Sequence, residues 1–321
     1  MRALITGGAG FIGSHLADHL LAHGHAVVVV DDLSTGRHAN IEHLLGRPDF
    51  EFVLGSILNP DVVDDVVARS DAVFHLAAAV GVELIVNEPL RSLATNIRGS
   101  EIVFEKANKY GTRVLVTSSS EIYGKNRSDR LGEEDDRILG SPLKSRWAYS
   151  EAKAIDEILA FTYWKEKGLP TVIVRLFNTV GPRQTGAYGM VIPRFVAQAL
   201  RHKPITVYGD GTQTRCFCDV GEIVEALAAL LDHPDAYGRV FNLGSDHEVS
   251  MAELADIVRE ETGSSSKVEY IPYEEAYEEG FEDMARRVPD TSRARQLVDF
   301  HPQVGLREII RRVVHEQSRT L

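Results

Sequence analysis

Short apolar runs alternate with amphipathic stretches through the first half of the chain. "RALIT" (2–6) reads as a strand. Over 11–23, Phe11, Ile12, Leu16, Leu20 and Leu21 recur at helical spacing, and Gly24 closes the helix. "AVVVVD" (26–31) is a β-branched run too continuous for a strand with one wet face. It fits a parallel strand covered on both sides. "EFVLG", "AVFHLA", "RVLVTS" and "TVIVRLFN" repeat the theme, with helical stretches near 60–68, 88–110 and 149–167 between them. Such alternation predicts an α/β fold with a doubly wound parallel sheet.

After Asn178 the texture changes, and Gly, Pro, Tyr and Arg rise through "NTVGPRQTGAYGMVIPR". A helix near 193–202 follows. "ITVYGDGTQTRCF" reads as strands around a Gly-Asp-Gly turn. A helix near 221–233 and "RVFNLGS" look like a return to the sheet, and Ser250 to Glu253 form a capping box for a helix to about 262. The acidic stretch 274–283 reads as a solvated loop or helix face. With no long linker, a smaller C-terminal α/β lobe is interleaved with the first: 1–178 plus about 220–245, against about 179–219 and 246–321.

Composition narrows the classes. The 321 residues are 44% hydrophobic, enough for a large core, and carry 47 acidic against 35 basic residues, a net charge of −12. Such a chain gets no help binding nucleic acid, so an anionic ligand needs a few placed arginines. Cys216 and Cys218 are two apart and point to opposite faces of a strand, which disfavours a mutual disulfide. Nothing completes a cysteine zinc site, so no metal is expected. Reduced thiols, no leader before "ALITGG" and no run near the roughly 18 apolar residues of a membrane span predict a cytoplasmic protein.

Chemistry enters at the first turn. Gly7, Gly8, Gly10 and Gly13 follow a strand and open a helix, with Phe11 and Ile12 in its first turn. Glycines permit the tight turn and the close approach of backbone to a pyrophosphate. Asp31 ends the second strand about 20 residues on, where a carboxylate accepts from ribose hydroxyls and repels a 2′-phosphate. The fold is therefore expected to be Rossmann-type and the cofactor NAD. The following loop, Asp32, Ser34, Thr35 and Gly36, is counted with the same site. So are Ser56 and Ile57 at the adenine end, the small-residue strand end Leu76, Ala77 and Ala78, and Asn96.

Tyr149 and Lys153 are i and i+4 on a helix and share a face. An ammonium beside a phenol favours the phenolate, so Tyr149 is expected to titrate below free tyrosine and to act as a general base. Alone the pair is a weak motif. Beside the glycine turn and "TSSSEIYG" (117–124) it gains force.

Together "ITGGAGFIGSHL", "DDLSTG", "FHLAA", "TSSSEIYG", "YSEAK", "RLFNTVGPRQ", "YGDGTQTR", "FNLGS" and "RRVPDTSRA" resemble the extended short-chain dehydrogenase/reductases, in the branch of NAD-dependent nucleotide-sugar epimerases and dehydratases. The resemblance covers nearly the whole chain. It implies that Ser119 shares the sugar proton with Tyr149. It puts Asn178, Arg215 and Arg287 on the substrate diphosphate, Asp290 on the nucleoside side, Val191 and Ile192 near a uracil, and Val80, Ser120 and Glu121 along the substrate. It also implies a homodimer through the helices near 88–110 and 149–167. Two departures stand out: Gly55-Ser56 replaces the usual Gly-Asp, and "RCFCDVGE" (215–222) is altered at the lobe junction.

Members of this branch make a 4-keto sugar that is epimerised, decarboxylated or dehydrated. Ser120 stands where dehydratases carry an aspartate, and serine is a poor general acid. Ser120-Glu121 matches the decarboxylating relatives, but Met190 replaces their arginine and Arg194 their asparagine. On this reading the chain is expected to be a UDP-sugar 4-epimerase, acting on UDP-glucuronate or UDP-glucose, with Arg194 or Arg183 against a sugar carboxylate. UDP-glucuronate decarboxylation is the alternative, and an NAD-binding regulatory protein the non-enzymatic class.

Overall fold

The computed structural model describes residues 1–79, 89–144, 146–186, 190–276, 284 and 286–319. Its strands in chain order are β1 (Arg2–Thr6), β2 (Ala26–Asp31), β3 (Phe50–Leu54), β4 (Ala72–His75), β5 (Arg113–Ser119), β6 (Thr171–Leu176), β7 (Thr179–Val180), β8 (Ile205–Tyr208), β9 (Thr214–Cys216), β10 (Cys218–Asp219), β11 (Arg239–Leu243), β12 (Glu248–Ser250) and β13 (Val268–Ile271). Seven form one parallel sheet in the order β11-β6-β5-β4-β1-β2-β3. The order reverses between β1 and β4, and crevices at such switch points bind ligands beyond the strand C-termini.

Helices are α1 (Phe11–Ala22), α2 (Pro60–Ala68), α3 (Pro89–Leu93), α4 (Gly99–Tyr110), α5 (Arg146–Lys167), α6 (Val191–Leu200), α7 (Val220–Asp232), α8 (Met251–Thr262), α9 (Tyr273–Ala276), α10 (Ser292–Val298) and α11 (Leu306–Ser318). The unbroken valines of β2 follow from cover on both faces: α1 and α7 pack one core against the sheet, while α2, α4 and α5 pack the other. The stretch near 88–110 is not one continuous α-helix. A π-helical segment, Ala94–Arg98, joins α3 to α4.

The smaller lobe has its own core, where Ile192, Phe195 and Val196 of α6 meet Leu254 and Val258 of α8 and Ile309 and Val313 of α11. Strands flank the Gly209-Asp210-Gly211 turn as expected, but they do not pair with each other. β8 pairs in parallel with β13, and β9 antiparallel with β12. Both glycines take positive φ, and a β-carbon at Gly209 would sit 2.5 Å from the Tyr273 ring. The turn thus threads beneath its neighbours and sends its two strands to different partners. Cys216 and Cys218 are free and buried on β9 and β10, and burial pushes the Cys216 thiol up to about 12, far from a reactive thiolate. Among the described residues no helix is long and apolar enough to cross a membrane.

Candidate active site

The loop between β1 and α1 is built from backbone. Gly7 has φ +72, and a β-carbon there would lie 2.8 Å from the backbone of Ala77. One at Gly13 would lie 2.4 Å from the Gly7 carbonyl oxygen. Gly10 caps α1 without a side chain, so the first-turn amides are open to an anion. Asp31 is buried at the end of β2. One carboxylate oxygen accepts from the Ala9 amide (3.0 Å), the other from the Leu33 amide (2.8 Å). Burial raises its pKa; the two amides pull the other way. Gly36 lies against this carboxylate, and a β-carbon would come within 2.7 Å of it. Asp32 and Ser34 are exposed beyond it, Asp32 accepting the Ser34 amide at 3.0 Å, and Thr35 is half-buried. This cradle fits a dinucleotide: backbone donors at one end, a fixed carboxylate at the other.

The far wall is β4 and its continuation. Leu76, Ala77 and Ala78 are half-buried there, and Val80 lies outside the described residues. Asn96 sits in the π segment, and its amide is spent on Ala79: Oδ1 accepts the amide at 2.7 Å and Nδ2 donates to the carbonyl at 3.2 Å. It therefore supports the wall, where direct cofactor contact was expected. Ile57 is also reassigned. It is buried in the sheet core, and a β-carbon at Gly99 would meet it at 2.3 Å. Ser56 stays half-buried and accepts the Leu58 amide.

Tyr149, Lys153 and Ser119 come together. Ser119 ends β5 and caps a 3-10 turn, Ser120–Tyr123, by accepting the Glu121 amide at 3.2 Å. Its hydroxyl is near enough to the Tyr149 phenol to lower that group's pKa. Ser150, the next residue of α5, donates to the Glu121 carbonyl at 2.9 Å, locking the helix to the turn. Lys153 is buried, with its Nζ 2.9 Å from Asp156 Oδ2. The expectation that Lys153 alone brings Tyr149 below free tyrosine is overturned. Burial raises the phenol, Lys153 lowers it, and Asp156 and Glu121 raise it again. The ammonium has a counter-ion that spacing arguments about Tyr149 and Lys153 did not include. Asp156 was missed, although its place at i+3 from Lys153 on a face that must be buried was a usable signal.

The side expected to face the substrate is made of long side chains. Arg287 is buried; its Nη1 donates to Ser120 Oγ at 3.1 Å and its Nη2 pairs with Glu121 Oε1 at 2.8 Å. Arg215, on β9, is half-buried and donates to the Thr214 carbonyl. Asn178 Nδ2 donates to the Cys216 carbonyl at 2.8 Å, so it ties β9 to the end of β6. Asp290 accepts the Ser292 amide, which lowers its pKa. Val191 is half-buried, while Ile192 is a core residue of the smaller lobe and not a lining residue. Arg194 donates to the carbonyl and hydroxyl of Thr206 and lies 4.3 Å over the Tyr208 ring. Arg183 pairs with Asp18 on α1, and its amide donates to Glu316 on α11. Among the described residues these contacts hold it toward the outer helices α1 and α11.

Beneath this surface a buried network fixes the parts. Arg175 of β6 grips Glu157 of α5 through two hydrogen bonds (2.9 and 2.7 Å) and donates to the Tyr123 hydroxyl (3.0 Å). Tyr123 donates to Asn242 Oδ1, whose Nδ2 reaches the Leu131 and Asp290 carbonyls. One chain of polar contacts thus links α5, the 120–123 turn and the Arg287–Asp290 segment. Of these residues only Asp290 was named from sequence, since the partners are far apart in the chain.

A sequence model of the NAD dependent epimerase/dehydratase family matches residues 3–244. The chain is 41% identical, over 96% of its length and 96% of the relative's, to the UDP-N-acetyl-alpha-D-glucosaminuronate decarboxylase of Bacillus cytotoxicus. It is 38% identical to UDP-glucuronic acid decarboxylase 1 of Arabidopsis thaliana, over 98% of this chain and 69% of that one. Its fold superposes, with a TM-score of 0.90, 28% identity and full coverage of both chains, on the UDP-glucuronic acid 4-epimerase from Bacillus cereus solved with UDP-glucuronic acid and NAD.

Proposed function

Since the chain belongs to the NAD dependent epimerase/dehydratase family and takes NAD, we propose that it is a decarboxylase of a UDP-hexuronic acid. The observation that carries this reading is the 41% identity across 96% of both chains to a UDP-hexuronate decarboxylase, against 28–30% for 4-epimerases of the same fold. The Ser120-Glu121 pair, held by Arg287, is the site feature that agrees with it. It replaces the epimerase expectation, which rested on Met190 and Arg194. Arg194 is engaged by Thr206 and Tyr208, so its side chain is a weak argument for a sugar-carboxylate contact.

The larger core, 1–178 plus about 220–245, carries the cofactor; about 179–219 and 246–321 close over the nucleotide. Gly7, Gly10, Phe11, Gly13, Asp31 and the 32–36 loop hold the dinucleotide. Bound NAD supplies a hydride acceptor and the positive charge of its oxidised ring. Tyr149 takes the proton of the hydroxyl on carbon 4, with Ser119 sharing it, as hydride leaves that carbon. The ketone is then β to the carboxylate on carbon 5. The carbon 5–carbon 6 bond breaks, carbon dioxide leaves, and the electron pair becomes an enolate on the carbon 4 oxygen. Carbon 5 gains a proton in place of the lost carbon dioxide, and Tyr149 gives its proton back to the carbon 4 oxygen, with the bound cofactor in a position that would return hydride to carbon 4. Arg215, Arg287 and Asn178 meet the diphosphate, Asp290 stands on the nucleoside side, and Val191 faces the base. Arg–phosphate pairing offsets the repulsion of a chain that is acidic overall. Ile155, Ile158 and Phe161 are exposed apolar residues on α5, and we assign this face to a second copy of the chain.

The purified protein should convert UDP-glucuronate or UDP-N-acetylglucosaminuronate to a product lighter by one carbon dioxide, seen by mass spectrometry and NMR. An isomer of unchanged mass would replace this reading with 4-epimerisation, which the Bacillus cereus fold match favours. Tyr149→Phe should lower turnover by about 10²- to 10⁴-fold. Unchanged turnover would remove the whole assignment of roles.

A further inference from the structure

Tyr149, Lys153 and Asp156 stand at i, i+4 and i+7 on α5, so they share one face of the helix. We propose that Asp156 is a positioning residue for the Tyr149–Lys153 pair: its carboxylate fixes the Lys153 ammonium and offsets its charge, so that the pair holds its proton tightly in the ligand-free chain. The proposal rests on the reading of Tyr149 as the base, and deepens it.

Three carboxylates act on this pair. Glu157 is held in two hydrogen bonds by Arg175 of β6, and Glu121, from the turn after β5, is paired with Arg287. Each of those charges has an arginine against it. Asp156 is fully buried and, among the described residues, has Lys153 as its only partner, at 2.9 Å through Oδ2. Its Oδ1 is buried with no partner at all. From β4, His75 contributes no charge, because burial and the nearby Lys153 lower it to about 3. Among the described residues Asp156 is therefore the one carboxylate near Lys153 that no arginine offsets. A buried carboxylate with an unpartnered oxygen is expensive to keep, and among the described residues nothing besides Lys153 uses it. The directions agree: after burial, Asp156 is the largest influence raising Lys153, and it is among those raising Tyr149.

Two coupled groups titrate as a pair, so the test follows the pair's proton. In the ligand-free parent, ultraviolet difference titration against Tyr149→Phe isolates one phenol from the 10 tyrosines. That phenol should ionise above the ~10 of free tyrosine. Ionisation below it would overturn the proposal, and this measurement needs no Asp156 variant to fold. In Asp156→Asn, an isosteric change, the proton loss of the pair should move down by about one pH unit or more, and the acidic limb of the pH–rate profile should move with it. Asp156→Glu should restore much of the parent behaviour. An unmoved titration and an unmoved acidic limb in a folded Asp156→Asn would overturn the proposal. The titration uses no sugar substrate, so a wrong substrate assignment would leave it standing. An active Tyr149→Phe would sink the catalytic reading instead.

Discussion

On the cofactor side of the cleft the chain presents backbone and one short carboxylate. On the side proposed for the sugar it presents guanidinium groups that cross from distant segments. Gly7, Gly10 and Gly13 work by what they lack, because β-carbons at Gly7 and Gly13 would strike neighbouring backbone. Arg287 works by reach, joining Ser120 and Glu121 across 167 residues of sequence. The contrast suits the ligands. A dinucleotide held through every cycle is best met by rigid amides, which lose little entropy on binding. A substrate that enters and leaves, carrying several charges, is met by charges that already have partners and exchange them.

The sharpest way to break this contrast is at Arg287. Arg287→Met leaves Glu121 without its cation and removes a charge from the proposed diphosphate site. Losing one partner of a buried charged pair costs about 2–5 kcal/mol, so KM should rise by at least about 30-fold. NAD retention, read from the cofactor-to-protein absorbance ratio, should not change. If the variant lost NAD and kept its KM, the division between the two sides would fail. Gly13→Ala is the converse and the next in size. Its β-carbon would lie 2.4 Å from the Gly7 carbonyl oxygen, and overpacking of this kind costs about 1–3 kcal/mol. The ligand-free protein should melt lower and copurify with less NAD. Wild-type NAD content in Gly13→Ala would mean that the turn is not the dinucleotide site.

The same contrast explains what could be read from the sequence. The cofactor side is local: glycines, strand end and carboxylate lie within the first 36 residues, and periodicity fixes the strand and helix around them. The Tyr149–Lys153 spacing is equally local. The sugar side is not. Nothing near Arg175 in sequence announces Glu157 or Tyr123, and nothing near Arg287 announces Glu121. Short-range rules also misjudged cases where tertiary contact wins. The resemblance put Ile192 beside the base with Val191, but it completes the core of the smaller lobe. The Gly-Asp-Gly stretch carries hairpin chemistry, but β8 and β9 find partners elsewhere. Asn96 was placed at the cofactor by position, and its amide belongs to Ala79. In each case the residue type was read correctly and its partner was out of range.

The smallest expected effect lies beneath the cofactor wall, at His75. This ring is buried between Thr6 and Ser100, with Nδ1 2.8 Å from Thr6 Oγ1 and Nε2 2.9 Å from Ser100 Oγ. Ser100 donates its own proton to the Asn96 carbonyl at 2.6 Å, so it accepts from Nε2–H. Thr6 Oγ1 accepts the Ala77 amide and donates to Nδ1. The chain of donors thus selects the neutral ring, and a second ring proton would face a hydroxyl already oriented toward it. Burial first, and then Lys153, lowers the folded pKa from 6.5 to about 3. The unfolded chain therefore binds a proton between those values that the folded chain refuses. Stability from this residue is complete above about pH 6.5 and is lost as pH falls below it, by up to about 1.4 kcal/mol per pH unit. His75→Gln removes the titration, so its urea midpoint should fall less steeply than the parent's between about pH 6.5 and 5. His15, His19 and His25 are also lowered, but they are common to both chains and cancel in the comparison. Parallel curves for parent and variant would mean that His75 titrates freely. The wall that carries Ala77 and Ala79 would then be looser than the backbone-built side of the cleft requires.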